Sequence, residues 1–410
     1  MGREYNIALR DRNPLRSLSC LVVPYLALGS PHTPPRPPTV VSIMIEFRRL
    51  WHYCTRYIDN FLLAGLFLLM LVGLVVLYSA SGGNLGRVSG QILNMVVTLA
   101  IMWLVANIPL QQIMRLALPL YILGIVLLLG VTLFGEIQNG ARRWLNLGIT
   151  RIQPSEMLKI AVPLMMAWYF DKTEITLRLR DYAGAALILL LPVLLIARQP
   201  DLGTALLITA SGFYVLYFAG LSWRVMASLL VTAGGILPLF WTFAMHDYQR
   251  RRVLTMLDPS QDPLGAGYHI IQSSIAIGSG GIAGKGWQNG TQSQLDFLPE
   301  QSTDFIFAVF SEEFGLIGNG LLLLLYLVII GRCLIITANA PTQFTRLVAG
   351  SITLTFFTYV FVNMGMVSGI LPVVGIPLPL ISYGGTSLVT MLLGFGILMS
   401  IQTHPKLVKT

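Results

Sequence analysis

The sequence predicts an all-α polytopic membrane protein with ten transmembrane helices and one long polar loop between the seventh and eighth. Two observations lead there. Of the 410 residues, 55% are hydrophobic and only 11% are charged, with a mean hydropathy of +0.71. A soluble domain carries roughly 25% charged residues, so this chain cannot cover a water-facing surface. Apolar stretches also recur from residue 59 to the C-terminal end, each near the ~20 residues that cross a bilayer.

Taken in order, residues 1–43 stand apart. Ser30-Pro31-His32-Thr33-Pro34-Pro35-Arg36-Pro37-Pro38 cannot be helix, because proline lacks the donor and restricts its predecessor. Leu18–Leu28 is too short to span. The segment reads as a disordered extension or as a start placed too early, with Met44 the functional start. A weak signal peptide is the other reading. The spans follow near 60–79, 91–108, 113–135, 156–170, 182–198, 202–219, 224–245, 316–336, 346–366 and 384–401.

Charge sets the orientation. Arg48, Arg49 and Arg56 precede the first span, and Lys406 and Lys409 follow the last. By the positive-inside rule both ends are cytoplasmic, and the loop 246–303 lies outside. Arg115, Lys172, Arg178, Arg180, Arg224, Arg332 and Arg346 then fall on the inner side, as the rule requires. Arg142, Arg143, Arg151, Arg198, Arg250, Arg251, Arg252 and Lys285 do not, and these outer cations need another explanation. The net charge of +9 thus points to loop topology and anionic lipid head groups rather than to nucleic acid. The three cysteines are scattered without metal spacing or a disulfide framework. The five histidines are equally dispersed, so no zinc site is expected.

Six stretches could carry chemistry. In Gly140–Lys159, Pro154 suits the first turn of a helix, and Glu156 and Lys159, three apart, share a face. They are either an ion pair that neutralises itself within the membrane or a cationic site for a phosphate group. In Arg198-Gln199-Pro200-Asp201-Leu202-Gly203-Thr204, Asp201 is either a helix cap or a site residue. The run Arg250-Arg251-Arg252 binds lipid head groups or captures a pyrophosphate. The glycine-rich Gly278–Gly286 resembles a phosphate loop but fails the Walker pattern, since Ser279 and Gly286 stand at obligatory positions. Its glycines suit close packing instead. Asp304 opens a helix after Pro299-Glu300-Gln301-Ser302-Thr303, where a capping acid is common. That helix is short, 304–314, and breaks at Gly315. Finally, Gly369–Ser387 carries three prolines and four glycines at membrane depth. Non-helical backbone is tolerated there only when it is buried in protein or lines a polar cavity. Asn363 points to the same groove.

Several of these motifs together carry a resemblance. They are Arg143-Trp144-Leu145-Asn146-Leu147-Gly148, Gln153-Pro154-Ser155-Glu156, Gln199-Pro200-Asp201-Leu202-Gly203-Thr204, Gly290-Thr291-Gln292-Ser293-Gln294, Phe297-Leu298-Pro299-Glu300, Thr303-Asp304-Phe305-Ile306-Phe307 and Ile381-Ser382-Tyr383-Gly384-Gly385. In this order, residues 44–410 resemble the SEDS family (shape, elongation, division and sporulation). Gly284-Lys285-Gly286-Trp287 and the 290–294 motif are similar to its elongation branch rather than its division branch. The resemblance implies a peptidoglycan glycosyltransferase that polymerises lipid II at the outer face of the bacterial inner membrane. The implied partners are a class B penicillin-binding protein and the elongation machinery.

Residue by residue, the resemblance places the essential acid at Asp304, the early-loop tryptophan at Trp144 and the Glu/Lys pair at Glu156 and Lys159. The expected chemistry has Asp304 as general base toward an acceptor hydroxyl. Lys159, with Arg143 or Arg250–Arg252, stabilises a departing pyrophosphate, and Trp144 lines the sugar or lipid groove. Asp201, Lys285, Ser382 and Tyr383 are further candidates for substrate contact. No cofactor is required. Magnesium could assist the pyrophosphate, although no carboxylate cluster demands a metal. The rivals are a lipid II flippase, a division-type polymerase and a non-catalytic scaffold. A flippase would need ionisable groups through the middle of the membrane.

Overall fold

The computed structural model describes residues 57–138, 141–146, 151–173, 179–199, 201–239, 242–243, 247–262, 265–295, 297–298 and 300–403. The expected extension 1–43 lies outside them. In chain order the helices are α1 (Asn60–Ala80), α2 (Leu85–Ala106), α3 (Leu110–Phe134), α4 (Pro154–Asp171), α5 (Leu179–Ala197), α6 (Leu202–Phe218) and α7 (Trp223–Leu239). After them come α8 (Asp247–Leu257), α9 (Ala266–Gly280), α10 (Thr291–Gln294), α11 (Ile306–Ala338), α12 (Gln343–Val367) and α13 (Thr386–Thr403). Each of the ten predicted spans overlaps one of α1–α7 and α11–α13, although the bounds differ and the seventh, 224–245, extends beyond α7. Among the described residues, seven helices are long and apolar enough to cross a membrane by length and composition, and α6 is a shorter apolar helix. The chain is a multi-pass membrane protein.

Helix ends follow local chemistry. Asp59 caps α1 by accepting from Leu62 N at 2.9 Å, and Asp201 caps α6 by accepting from Thr204 N at 3.3 Å. Pro154 starts α4. Thr342 and Thr345 form a reciprocal capping box on α12. The expected break at Gly315 is present, with φ 65° and ψ −162° dividing α11.

Packing sorts the helices into two classes. α2 and α3 turn large apolar side chains such as Leu93, Val96, Leu104, Ile122, Val126 and Leu133 outward, where only lipid can cover them. α12 is the hub and packs against α4, α6, α11 and α13. Its core contacts include Tyr359, Phe356 and Asn363, all buried.

Two features depart from the sequence expectation. The chain is not purely helical: β1 (Glu136–Gln138), β2 (Ala141–Asn146) and β3 (Arg151–Ile152) form an antiparallel sheet in the order β1-β2-β3. Trp144 pairs with Glu136, and Leu145 with Ile152. Strands this short carry too few alternations to register as period two. The stretch 246–303 is also largely helical, containing α8, α9 and α10. The predicted interfacial helix at 270–277 is the centre of a longer one, α9.

The non-helical backbone between α12 and α13 is present as expected. Its polar groups are satisfied by side chains from other elements. Asn363 Nδ2 donates to Ile376 O at 2.7 Å, and Tyr326 OH to Pro379 O at 2.7 Å. Gln91 Nε2 donates to Ser382 O at 3.2 Å. Gly73 lets α1 lie against this segment, since a Cβ there would come within 2.8 Å of Leu380 O.

Candidate functional site

Asp304 sits on the turn that leads into α11, half-buried. The 300–305 turn is closed by Thr303 N and Phe305 N donating to Glu300 O at 3.0 and 3.3 Å. Asn363 Nδ2 also donates to Asp304 O at 2.8 Å, so one amide ties the turn to the 369–385 segment. Gly375, with φ 73°, faces the carboxylate: a Cβ there would lie 3.4 Å from Asp304 Oδ2. Burial first, and then the negative charge of Glu300, push the Asp304 carboxyl up to about 6, against the pull of Arg252. Asp304 is therefore mostly ionised at pH 7 and unusually basic for an aspartate.

Behind Gly375 the backbone runs against α6. A Cβ on Gly203 would come within 2.9 Å of Val374 O and 3.4 Å of Ile376 Cγ1. Here the N-terminus of α6 meets the early sheet. Arg143 Nη1 lies 3.9 Å from Asp201 Oδ1, and Gln153 Nε2 donates to Asp201 Oδ2 at 3.3 Å. Asp201 is thus both a helix cap and the meeting point of two outer motifs. Trp144, next to Arg143, is half-buried.

Lys159 and Glu156 form a close pair at 2.6 Å. Thr390 Oγ1 on α13 donates to the other Glu156 oxygen at 3.0 Å, and the Lys159 ammonium lies 5.2 Å from the centre of the Tyr359 ring. Tyr359 and Asn363 are one turn apart on α12, so the same helix touches Lys159 and Asp304. Glu156 also lines a largely apolar cavity of about 400 Å³ between α3, α4 and α13, with Leu120, Leu127, Met157, Ile160 and Val389 among its walls.

The remaining sequence candidates separate. Of the arginine run, Arg252 acts on Asp304, Arg250 Nη2 donates to Thr242 O at 2.9 Å, and Arg251 is exposed. Lys285 is 2.8 Å from both Glu312 Oε1 and Thr291 Oγ1. Its backbone and that of Gly286 donate to Glu312 O and Glu313 O, each at 3.0 Å. Leu316 N donates to Gly281 O at 2.9 Å. The glycine-rich loop therefore wraps the Gly315 break, and a Cβ on Gly284 would collide with Glu313 O at 2.1 Å. Ser79 Oγ donates to Glu313 Oε1, bracing the same region against α1. Ser382 Oγ donates to Thr303 O at 2.6 Å and accepts from Leu378 N at 2.8 Å. Tyr383 N donates to Ser302 O at 2.9 Å. These last two residues shape the turn that carries Asp304.

Sequence reasoning passed over Glu300, Arg87, Gln91, Thr390 and His269 as site residues. His269 stacks on Phe305 at 5.3 Å, and its pKa is lowered by burial. Glu300 has φ 50°, a backbone state that spacing does not reveal. Among the described residues no group of three or more His, Cys, Asp or Glu could hold a metal ion.

Three comparisons bear on this arrangement. The profile of the FtsW/RodA/SpoVE family, described as cell cycle protein, matches residues 59–407. The Escherichia coli K12 peptidoglycan glycosyltransferase MrdB is 52% identical over 351 residues, covering 86% of this chain and 95% of that protein. Among solved structures, a chain of a peptidoglycan synthase complex that coordinates polymerization and crosslinking aligns with TM-score 0.73 and 34% identity, covering 84% of this chain and 97% of that one. The Thermus thermophilus rod shape determining protein RodA aligns with TM-score 0.64 and 28% identity, covering 84% and 96%.

Proposed function

The chain belongs to the FtsW/RodA/SpoVE (SEDS) family and is a peptidoglycan glycosyltransferase, and we propose that it polymerises lipid II during cell elongation with Asp304 as general base. The carrying observation is the placement of Asp304: a half-buried carboxylate raised to about 6, anchored through Asn363 and sharing α12 with Lys159. A base with that pKa is ionised at pH 7 yet holds a proton better than an ordinary aspartate, which favours proton transfer in the transition state.

The steps balance simply. Asp304 takes the proton of the acceptor 4-hydroxyl as its oxygen attacks the anomeric carbon of the donor. The bond from that carbon to the pyrophosphate oxygen breaks, and polyprenyl pyrophosphate leaves with the electron pair. Lys159, Arg143 and Arg252 are the cations for the leaving charge. Trp144 and the apolar cavity beside Glu156 hold the sugar and lipid of the donor. Attack opposite the leaving group converts an α-linked donor into a β-linked glycan. A divalent cation such as magnesium would add positive charge at the pyrophosphate, recruited by the substrate itself.

The same reading places ten spans in the inner membrane, both termini in the cytoplasm and residues 246–303 in the periplasm. The charge pattern and the coincidence of ten helices with ten apolar stretches support it. A class B penicillin-binding protein is the proposed partner, supported by the likeness to a chain from a polymerizing and crosslinking complex.

The test is Asp304→Asn, purified in membranes with labelled lipid II. No glycan should form. Because folding carries Asp304 from its ordinary 3.8 up to about 6, its ionisation opposes folding as pH rises through that window. The neutral variant should therefore melt at the same or a higher temperature at pH 7. Polymer at the wild-type rate would refute the base.

A further inference from the structure

A second cavity, of about 470 Å³, opens beside the 300–303 turn, lined by Arg87, Glu300, Gln301, Ser302, Thr303 and Tyr383 together with Leu298. We propose that it binds the head group of the acceptor, a saccharide carrying a carboxylate-ended peptide, with Arg87 recognising the carboxylate. This rests on the polymerase reading.

The volume lies within the ~300–1,000 Å³ of ordinary ligand pockets. Its walls contrast with the apolar cavity beside Glu156: they present a guanidinium, a carboxylate, two hydroxyls and a phenol. Polyprenyl finds no apolar channel here, whereas a saccharide finds donors and acceptors. The reacting atom of the acceptor is a sugar hydroxyl at the far end from its lipid, so the acceptor head group suits this cavity and the donor pyrophosphate suits the cations around Lys159.

The cavity is built rather than incidental. Ser302, buried at its floor, receives Arg87 Nη1 at 3.2 Å and donates to Ala80 O at 3.3 Å. Tyr383 N closes the third side onto Ser302 O at 2.9 Å. α1, α2 and the segment before α13 thus fix its shape.

Arg87 itself is exposed. Lys159, Lys285, Arg143 and Arg332 each have an acidic partner. Among the described residues no carboxylate lies within ion-pair distance of Arg87. A guanidinium has five N–H donors in a planar fork that matches a carboxylate. Glu300, on the same wall, adopts φ 50°, and such strain at a non-glycine residue persists where surrounding structure imposes it. Thr303, also on the wall, directly precedes Asp304. A saccharide seated in the cavity is therefore held by the same 300–305 turn that carries the proposed base.

The experiment uses the full chain in nanodiscs of neutral phosphatidylcholine. Initial polymerisation rates are measured against concentration for lipid II with free peptide carboxylates and for lipid II with those carboxylates amidated. Arg87→Ala should raise the half-saturating concentration of the free-acid substrate about tenfold, the effect of losing one charge-assisted contact, with the maximal rate within twofold. It should abolish the preference for the free acid that wild type shows. Ser302→Ala loses the same Arg87–Ser302 hydrogen bond but keeps the charge, so it should keep that preference. Arg87→Lys, which preserves the charge, should keep part of it and serves as the probe if Arg87→Ala does not fold. The inference is overturned if wild type polymerises both substrates without preference, if Arg87→Ala retains the preference, or if its effect requires anionic lipid in the disc. Absence of polymer with wild type would instead overturn the polymerase reading.

Discussion

Glu300→Gln isolates how the basicity of Asp304 is made. The Asp304 carboxyl rises from 3.8 to about 6, with burial the larger cause and the Glu300 charge the next. The glutamine removes that charge at nearly constant volume. The carboxyl then ionises more readily, and its pKa falls while burial still holds it above 3.8. The activity of a general base follows its ionised fraction, so the wild-type kcat/KM should fall tenfold per pH unit below about 6. Burial outranks the Glu300 charge, so the acidic limb of Glu300→Gln should move down but stay above the ordinary aspartate range. A move of about half a pH unit would let the variant retain, at pH 5, roughly two and a half times more of its own plateau activity than wild type does. Arg252→Gln removes the opposing charge and should move the limb up. The assay is initial glycan synthesis from labelled lipid II between pH 4.5 and 8, normalised to each plateau so that binding losses cancel. Coincident acidic limbs in all three proteins, or an upward move in Glu300→Gln, would refute Asp304 as the group that titrates.

Two further outcomes test the supporting structure. Lys159→Met leaves the Glu156 carboxylate in the bundle with Thr390 as its remaining partner, and should destabilise the protein by about 3 kcal/mol; adding Glu156→Gln should restore most of the melting temperature but no polymerisation, and recovery of activity in the double variant would show the pair to be merely structural. Gly375→Ala puts a methyl at φ 73° and 3.4 Å from Asp304 Oδ2; strain should cost about 1–2 kcal/mol, while displacement of solvent from the base should lower the initial rate more than tenfold, a loss that a wild-type rate at unchanged lipid II affinity would contradict.

Much of this architecture is written locally in the chain. Hydropathy marks the helices at the predicted spans because lipid rewards apolar surface at every turn, and proline, glycine and aspartate mark ends at Pro154, Gly315 and Asp201 because each acts through its own backbone. The sheet carrying Arg143 and Trp144 escaped because its strands are too short for a period. The site was legible in part. Glu156 and Lys159 stand out as charges in an apolar chain, whereas Asp304 reads by spacing as a capping acid and is singled out only by the family resemblance. Arg87 and Gln91 do not stand out, because their roles arise from contacts between segments far apart in sequence. Arg87 meets Ser302, and Gln91 bridges Ser382 O and Gly384 N. Glu300, four residues before Asp304, acts on its carboxyl from a positive-φ backbone that no spacing rule predicts. The glycine-rich loop shows the converse. Its pattern fails the Walker rule at Ser279 and Gly286, which leaves close packing as the reading, and its glycines do pack against the break in α11.

The distribution of polar groups along the helices separates polymerisation from transport. Gln153, Glu156 and Lys159 occupy the first turns of α4 and its approach, Asp201 begins α6, and Asn363 lies in the last turns of α12. These ends meet at one face, where Asp304 and the 369–385 segment join them. Farther along α4, the residues from Ala161 to Phe170 are uncharged and mostly buried against other helices. Asp171, at the opposite end, accepts a hydrogen bond from Phe344 N at 3.2 Å and so secures the α12 start. A translocated pyrophosphate would have to cross that uncharged interval without a partner, at the high cost of an unpaired charge in apolar surroundings. A polymerase needs paired charge at the reacting face only, and Glu156, Lys159, Asp201 and Arg143 supply it there.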